Sequence, residues 1–540
     1  MRSNKTLLLF IFALLSDICF ANTFYVDPAK GSDSGNGSFS NPWKTFEYVV
    51  NNNLIESSSY VTQYNSNNPQ TEPKNPGAPV KAGDTLMLYS GLHGDIFIEN
   101  YINPSFITVK AMSNQTPVIR KCHLRGAKNW RFEGLSFSSE PYGAYLNDGT
   151  YANDRLIFLE SHNWHGSVSD IEIKNCNIYS AIKAWTTAKD WLNKASHGIR
   201  IHADHVLLQN NTFRNVDFGI MLRGNYNRII GNSVINFAGD GMTIQGSNNL
   251  IESNLIKNCY KVDDNHDDGI QSYALGGMAV DNNIIRGNTI LNYDDPNQPL
   301  LGPLQGIGCF DGPFRNWIVE NNVVIVDHWH GIAFFGGINC EIRNNTVLDP
   351  TPSSTSGPSW ITIDEKESNG VHSSNCVVKN NIVNHLKIIS KTNTTTDNNL
   401  LITTTEEYVR NFADYANYDF HLMQASLAID RGDITCFSAF DMDGKARPQG
   451  TAPDIGAYEF VSLTSETLTI PASSADIRIA AYKGTLSIQS DKCIGLVSIY
   501  TMNGQCLYQA LSDAHELYVN NLPKELLIVT VGEQTRKISM

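Results

Sequence analysis

Four carboxylates, one imidazole and one amide crowd into six positions, 263–268, of the stretch from Lys261 to Ala274, which reads KVDDNHDDGIQSYA. Asp263, Asp264, Asp267 and Asp268 surround Asn265 and His266 and run into Gly269, where an alternating strand begins. Like charges at this density repel, so the side chains are either spread into solvent or held together by a cation. Paired carboxylates offer a second chemistry, in which one group protonates a leaving oxygen and the other acts as base or nucleophile. Asp240, Asp267, Asp268 and Asp311 are the candidates for such a pair. Lys261 and His266 adjoin the cluster and stand first as candidates for a general base. Against these stand plainer readings: Asp263 and Asp264 as solvated loop carboxylates, and Asp240 and Asp268, each before a glycine, as turn residues bonding locally.

The elements that must position these groups are written as a repeat. One strand type reads GIRIHA (198–203), GIMLRG (219–224), GMTIQG (241–246), GIQSYA (269–274), GIGCFDG (306–312), GIAFFGG (331–337) and WITIDE (360–365). A second carries Asn211, Asn254, Asn288, Asn322, Asn345 and Asn381 at one register, with Ser233 and Cys176 as exceptions. Asn tolerates the left-handed backbone of a sharp turn and stacks in hydrogen-bonded ladders. From Asn211, counting Ser233, the spacings are 22, 21, 34, 34, 23 and 36 residues, a basal coil of about 22 with inserts of about 12 in some turns. A propeller needs four strands per blade and leucine-rich repeats need a Leu consensus; neither is present. The fold class expected is all-β, a right-handed parallel β-helix followed by a small sandwich-like β domain.

Alternation places the residue after each glycine inside and the next one outside. Arg200, His202, Arg223, Gln245, Gln271, Tyr273 and Phe310 then face outward on successive coils, with Asp240 and Asp268 just ahead of their glycines. Such a face of Arg, His, carboxylate, amide and aromatic groups suits a charged or hydroxyl-rich chain. The inserts 181–196, expected to be helical, and 292–305 lead into the same strand set and rise on the same side as the acidic stretch.

The chain divides into 1–21, 22–460 and 461–540. Its first residues combine a basic start, an apolar run from Leu7 to Leu15 and a small residue at Ala21, as in a secretory signal peptide cleaved after Ala21. A lipoprotein signal at Cys19 is the rival. No other stretch approaches the ~18 apolar residues of a membrane helix. The protein is expected to be exported from a Gram-negative bacterium, secreted, periplasmic or on the cell surface, and monomeric. A net charge of −14 argues against nucleic acid as a partner. Ten cysteines without a paired spacing give no disulfide framework, and Cys309 and Cys340 read as small buried hydrophobes. Residues 60–82 read as a loop, 83–100 and 106–112 as short strands separated by turns, and a helix is expected from Pro42 onward.

Three resemblances accompany this reading. The entry FYVDPAKGSDSGNG and the closing YDFHLMQASLAIDRGD to DIGAYEF resemble the ends of secreted parallel β-helices, the latter expected to cover the last coil's edge. The segments VSIYTMNGQCLYQ and LIVTVGEQTRKISM resemble the C-terminal sorting domain of Bacteroidetes, with the basic end reduced to Arg536 and Lys537. The acidic set resembles that of family 9 pectate lyases among the polysaccharide lyases. This last resemblance implies Ca²⁺ held by Asp240, Asp263, Asp264 and Asp267, with Asp268 as a further ligand, and a lysine that removes the C5 proton of a uronate. No lysine occurs between Lys261 and Lys366, so that base has no counterpart. The expected activity is Ca-assisted β-elimination on an acidic polysaccharide, with Arg200 and Arg223 on its carboxylates. The alternatives are a β-helix glycoside hydrolase using paired carboxylates, and a non-catalytic carbohydrate-binding or adhesive protein.

Overall fold

The computed structural model describes residues 21–61, 63–146, 155–353, 357–365 and 370–461, and in the C-terminal part 477–482, 485–490, 494–501, 506–512, 514–520, 522–523, 526–531 and 534–539. The leader lies outside the described residues except for Ala21. Residues 1–461 and 462–540 separate into two compact units.

The first unit is a right-handed parallel β-helix. A typical coil contributes two strands, such as His197–His202 and Asp204–Gln209, to one 23-stranded array and a third, Thr212–Val216, to a 12-stranded parallel array. Inside, one column runs Ile199, Ile220, Met242, Ile270, Ile307, Ile332, Ile361, each in register with the next and buried. Period-two alternation puts every one of these inward and shields the whole column from water. The glycines ahead of it are required by crowding: a Cβ on Gly219 would lie 2.4 Å from the carbonyl oxygen of Gly241, and one on Gly306 2.2 Å from that of Gly331.

The asparagine column is a ladder. The side-chain oxygens of Asn211, Asn232, Asn254, Asn288, Asn322, Asn345, Asn381 and Asn399 each accept the backbone N–H of the rung below, beginning with Cys176 N–H. Two expectations are corrected here. Asn232, not Ser233, is the rung of its coil; Ser233 already belongs to the following strand. The left-handed residues are the neighbours just before the rungs, among them Asn210, Ser253, Asn321, Asn344 and Asn380. The ladder asparagines themselves spend their amides on buried backbone groups.

Near the N-terminus, the helix spans Phe46–Asn51 and is capped by Thr45, so Pro42 precedes it and does not sit in its first turn. The Asn/Pro-rich region contains a hairpin of Ser57–Tyr60 and Thr71–Lys74. The strands expected at 83–100 and 106–112 meet in one strand, Asp95–Ala111, preceded by Thr85–Leu88. In the first insert the helix is confined to Ala188–Lys194, with Trp191 buried against Tyr260. The closing segment does more than cover the last coil. Its Phe420, Ile455 and Ala457, together with Tyr408 and Phe412 just ahead of it, pack on Leu291, Ile325, Leu348 and Ile382, along the flank of four coils.

The second unit has two antiparallel sheets: Ile477–Tyr482, Thr485–Ser490 and Glu516–Val519 in one, and Gly495–Thr501, Cys506–Ser512, Leu526–Val531 and Gln534–Ser539 in the other. Leu486, Ile488, Val497, Ile499, Leu527 and Val529 form its core. Among the described residues no helix is long and apolar enough to cross a membrane.

Candidate functional site

Strand register stacks the outward positions. Arg200 pairs with Met221, Met221 with Thr243, Thr243 with Gln271, Gln271 with Gly308, and Gly308 with Ala333. A cleft of about 690 Å³ opens over the middle of this row, lined among others by Asp240, His266, Gln271, Tyr273, Phe310 and His330.

Asp240 lines its floor, and Asp268 lies buried beneath the lining residues His266 and Gln271, which it contacts. Asp240 and Asp268 close consecutive coils just before Gly241 and Gly269, and both are buried. Asp268 donates its backbone N–H to Asp240 Oδ1 at 3.1 Å. Asp268 Oδ2 faces the cleft rim, accepting from Gln271 Nε2 at 3.0 Å and lying 3.3 Å from His266 Nδ1. Asp268 Oδ1 is buried without a hydrogen-bond partner. It lies where a side chain on the facing coil would stand: a Cβ on Gly308 would come within 2.3 Å of it and 2.4 Å of the Phe310 ring. Burial pushes Asp268 up to about 6. Burial, then the Asp268 charge, pushes Asp240 well above the usual carboxylate range. The hydrogen bond to Asp268 raises His266, which remains largely exposed.

The acidic loop divides its carboxylates between the interior and solvent. Asp267 is buried, accepts from Asn265 Nδ2 at 3.0 Å and pairs with Lys261 Nζ at 3.5 Å. Lys261 also donates to the Asn265 carbonyl, and its stem packs on Gly302. Lys261 therefore braces the loop through Asp267 and Asn265 and is not among the residues that line the cleft. Asp263 and Asp264 are exposed, and Asp263 Oδ1 accepts the Asn265 N–H at 2.9 Å. Among the described residues no group of three or more His, Cys, Asp or Glu side chains is disposed to hold a metal. Asp240, Asp263, Asp264 and Asp267 are thus not gathered as a donor set, and the Lys261 ammonium already stands against Asp267.

Upstream of the floor the face is cationic. Arg200 donates from Nε to His202 Nε2 at 3.0 Å, and Arg223 from Nε to Gln245 Oε1 at 2.6 Å. Neither arginine forms an ion pair with a described residue. Burial, and then repulsion from Arg223 and Arg155, disfavours the charge on Arg200. Burial and Arg200 together hold His202 down at about 4, so it is a neutral acceptor. Downstream the face is aromatic. A register shift after Ser272 pairs Tyr273 with Asp311, which leaves Phe310 as an extra residue whose ring turns back over the row. That ring lies 5.0 Å from His330 and 5.4 Å from Phe335.

The outward residues named from the alternation thus share one face. Thr243, Gln305 and Phe218 also line the cleft but carried no signal beyond their place in the repeat. Gln305 Oε1 lies 3.2 Å from His330 Nδ1, a contact between successive coils legible only once the register is known.

A family model described as "Right handed beta helix region" matches residues 122–347. No curated protein sequence matches the chain. Among solved structures, pectate lyase Pel9A aligns with a TM-score of 0.38 at 14% identity, over 82% of this chain and 97% of that one. The A-module of the Azotobacter vinelandii mannuronan C-5 epimerase AlgE6 gives 0.35 at 11% identity, over 58% and 83%. The GH136 lacto-N-biosidase from Eubacterium ramulus gives 0.34 at 12%, over 71% and 67%. The matched coils, 122–347, contain every residue of the cleft and form a right-handed β-helix.

Proposed function

We propose that the chain is a carbohydrate-active enzyme that cleaves a uronic-acid-containing polysaccharide by β-elimination in this cleft. The observation that carries the proposal is the pair Arg200 and Arg223: two guanidinium groups on successive coils, half-buried and repelling each other, neither in an ion pair with a described residue, the attraction of Glu160 for Arg200 being outweighed by burial and by the neighbouring arginines. An anionic ligand relieves that repulsion, and a uronate carboxylate matches the guanidinium fork.

The reaction needs the substrate carboxylate neutralised, a base at C5 and a proton for the departing oxygen. Arg223, with Arg200 behind it, holds the carboxylate and stabilises charge that flows into it when C5 loses its proton. His266, in its neutral form, takes that proton, and Asp268 orients the ring and stabilises the imidazolium. The C4–O bond then breaks as the C4–C5 double bond forms, and Tyr273 donates its phenolic proton to the leaving oxygen. Gln245, Gln271 and Phe310 line the path of the sugar chain, and His202 is a hydrogen-bond acceptor beside Arg200.

Incubation with a panel of uronic-acid polymers is expected to release product with the ultraviolet absorbance of an unsaturated uronate. The same incubation with EDTA separates a metal-free reaction from a Ca²⁺-assisted one. A rate abolished by EDTA and restored by Ca²⁺ would mean that the loop carboxylates Asp240, Asp263, Asp264 and Asp267 regroup around an ion. The buried carboxyl groups favour one other reading, hydrolysis with Asp268 as acid and Asp240 or Asp311 as its partner. New reducing ends without the absorbance would establish it, and binding without cleavage of any polymer would leave an adhesive protein.

A further inference from the structure

Beyond Phe310 the face changes character. Trp329 stacks on Trp360 with ring centroids 5.8 Å apart and planes at 17°. Lys387 Nζ lies 4.4 Å from the Trp360 ring centroid, so the inner indole is engaged by a cation as well as by its neighbour. Trp329 is 47% exposed. His330 joins this pair to the cleft, 6.0 Å from Trp360 and 5.0 Å from Phe310. The row beneath narrows to Gly308 and Ala333, so the aromatic rings stand as a wall above a shallow floor.

The charge at this end is opposite to that upstream. Asp311 lines the cleft and Asp364 is in register with Phe335. His328 and His330 are held neutral by burial, at about 4. Lys387, a cation among the described residues here, is committed to the Trp360 ring. A second uronate here would meet carboxylates and no guanidinium, whereas an uncharged pyranose can lay its C–H face on an indole. From Arg200 to Ala333 the row spans five strand spacings, about 24 Å, room for several sugar units.

We infer that Trp329, with Phe310, Phe335 and His330, forms a subsite for a neutral pyranose at the far end of the row from the uronate subsite of Arg200 and Arg223, several sugar units away. This deepens the reading above and rests on it for the uronate end: the substrate is a heteropolysaccharide that carries neutral sugars within a few units of a uronate. Trp329 is a specificity residue and touches no reacting atom.

Two measurements test it. In the first, kcat/KM is compared on a uronate homopolymer and on polymers alternating uronate with a neutral sugar. The alternating class is expected to be preferred about 10-fold. Trp329→Ala is expected to remove the preference by raising KM on the alternating class more than on the homopolymer, and Trp329→Phe to restore part of it. Equal kcat/KM on both classes, or an equal loss on both in Trp329→Ala, overturns the subsite. In the second, tryptophan fluorescence is titrated with cello-, galacto- and rhamno-oligosaccharides and with uronate oligosaccharides. Quenching by a neutral sugar that disappears in Trp329→Ala is expected even if no polymer is cleaved, so the subsite stands or falls apart from the lyase reading. No neutral sugar that distinguishes wild type from Trp329→Ala refutes it.

Discussion

Two clusters of charge are buried in the first unit, and they are handled in opposite ways. In the closing segment, Arg447 and Glu459 are both inaccessible and form an ion pair. Arg447 also donates to Asn321 Oδ1 at 3.2 Å and to the Gly456 carbonyl at 2.9 Å, while Glu459 accepts the N–H groups of Asp454 at 2.7 Å and Gln449 at 3.0 Å. Opposite charges with nearly every donor and acceptor used make a rigid staple between the closing segment and the coil of Asn321. At the cleft floor, Asp240 and Asp268 are like charges, and one carboxylate oxygen of Asp268 has no partner. Burial without pairing costs stability and is retained where a group must hold or release a proton near working pH. One cluster therefore reads as structural and the other as poised for chemistry.

The contrast breaks most visibly at the staple. Arg447→Met leaves Glu459 buried and unpaired and is expected to cost about 3–5 kcal/mol, seen as a lower Tm by calorimetry with no change in the residual kcat of the folded fraction. Pairing it with Glu459→Met is expected to recover much of that loss. If the single variant keeps the wild-type Tm, the staple has no structural weight.

Asp268→Asn attacks the other side. Its expected signature is the reverse: turnover falls by about 10²–10⁴-fold, the range of general acid–base assistance, and Tm is equal or higher. Unchanged turnover would remove Asp268 from the reaction and reduce the floor to a pair of turn residues.

The difference between the clusters also tracks what could be read beforehand. The coils were legible because stacking leaves a record in every turn, as glycine where backbones touch, asparagine where the ladder runs and an aliphatic residue in the inner column. The outward row followed from period two alone. What escaped depends on contacts without a local pattern. A carboxylate before a glycine reads as a turn, and nothing in the residues around Asp240 and Asp268 says that the next coil buries them. The turn of Phe310 comes from a register shift of one residue, the same size of slip that put Ser233 in place of Asn232. Trp329 and Trp360 meet across 31 positions of insert and coil. Composition gave four carboxylates in the acidic stretch, but not how the fold divides them: Lys261 folds back on Asp267, and Asp263 and Asp264 stay outside.

A smaller effect separates the members of the floor. Asp240 is neutral-favouring in the fold, so its contribution to stability is complete below the unfolded carboxyl value of ~3.9 and is lost as pH rises through its raised folded value. Asn at this position still accepts the Asp268 N–H and cannot ionise. Asp240→Asn is therefore expected to stabilise the protein on the order of 1–2 kcal/mol at neutral pH and by little near pH 4, with the gap widening as pH rises. A gap independent of pH would mean that Asp240 does not titrate in this range, and the repulsion assigned to the pair would be absent.

The finest distinction lies in one histidine. The hydrogen bond to Asp268 is the largest cause of the raised His266 value, so His266 carries its proton to higher pH than a free imidazole. As the base it must first lose that proton, so the rate is expected to climb with pH through the raised value and to level above it. The stability its protonated form confers runs the other way, full below the unfolded value of ~6.5 and lost as pH rises through the folded one. Replacing Asp268 by Asn removes the anion that favours imidazolium, so NMR titration of His266 in Asp268→Asn is expected to show its pKa displaced downward from wild type. This readout does not depend on turnover, which the same substitution lowers. A His266 value unmoved by Asp268→Asn would sever the base from the buried carboxyl and leave the floor of the cleft without a route to the substrate's proton.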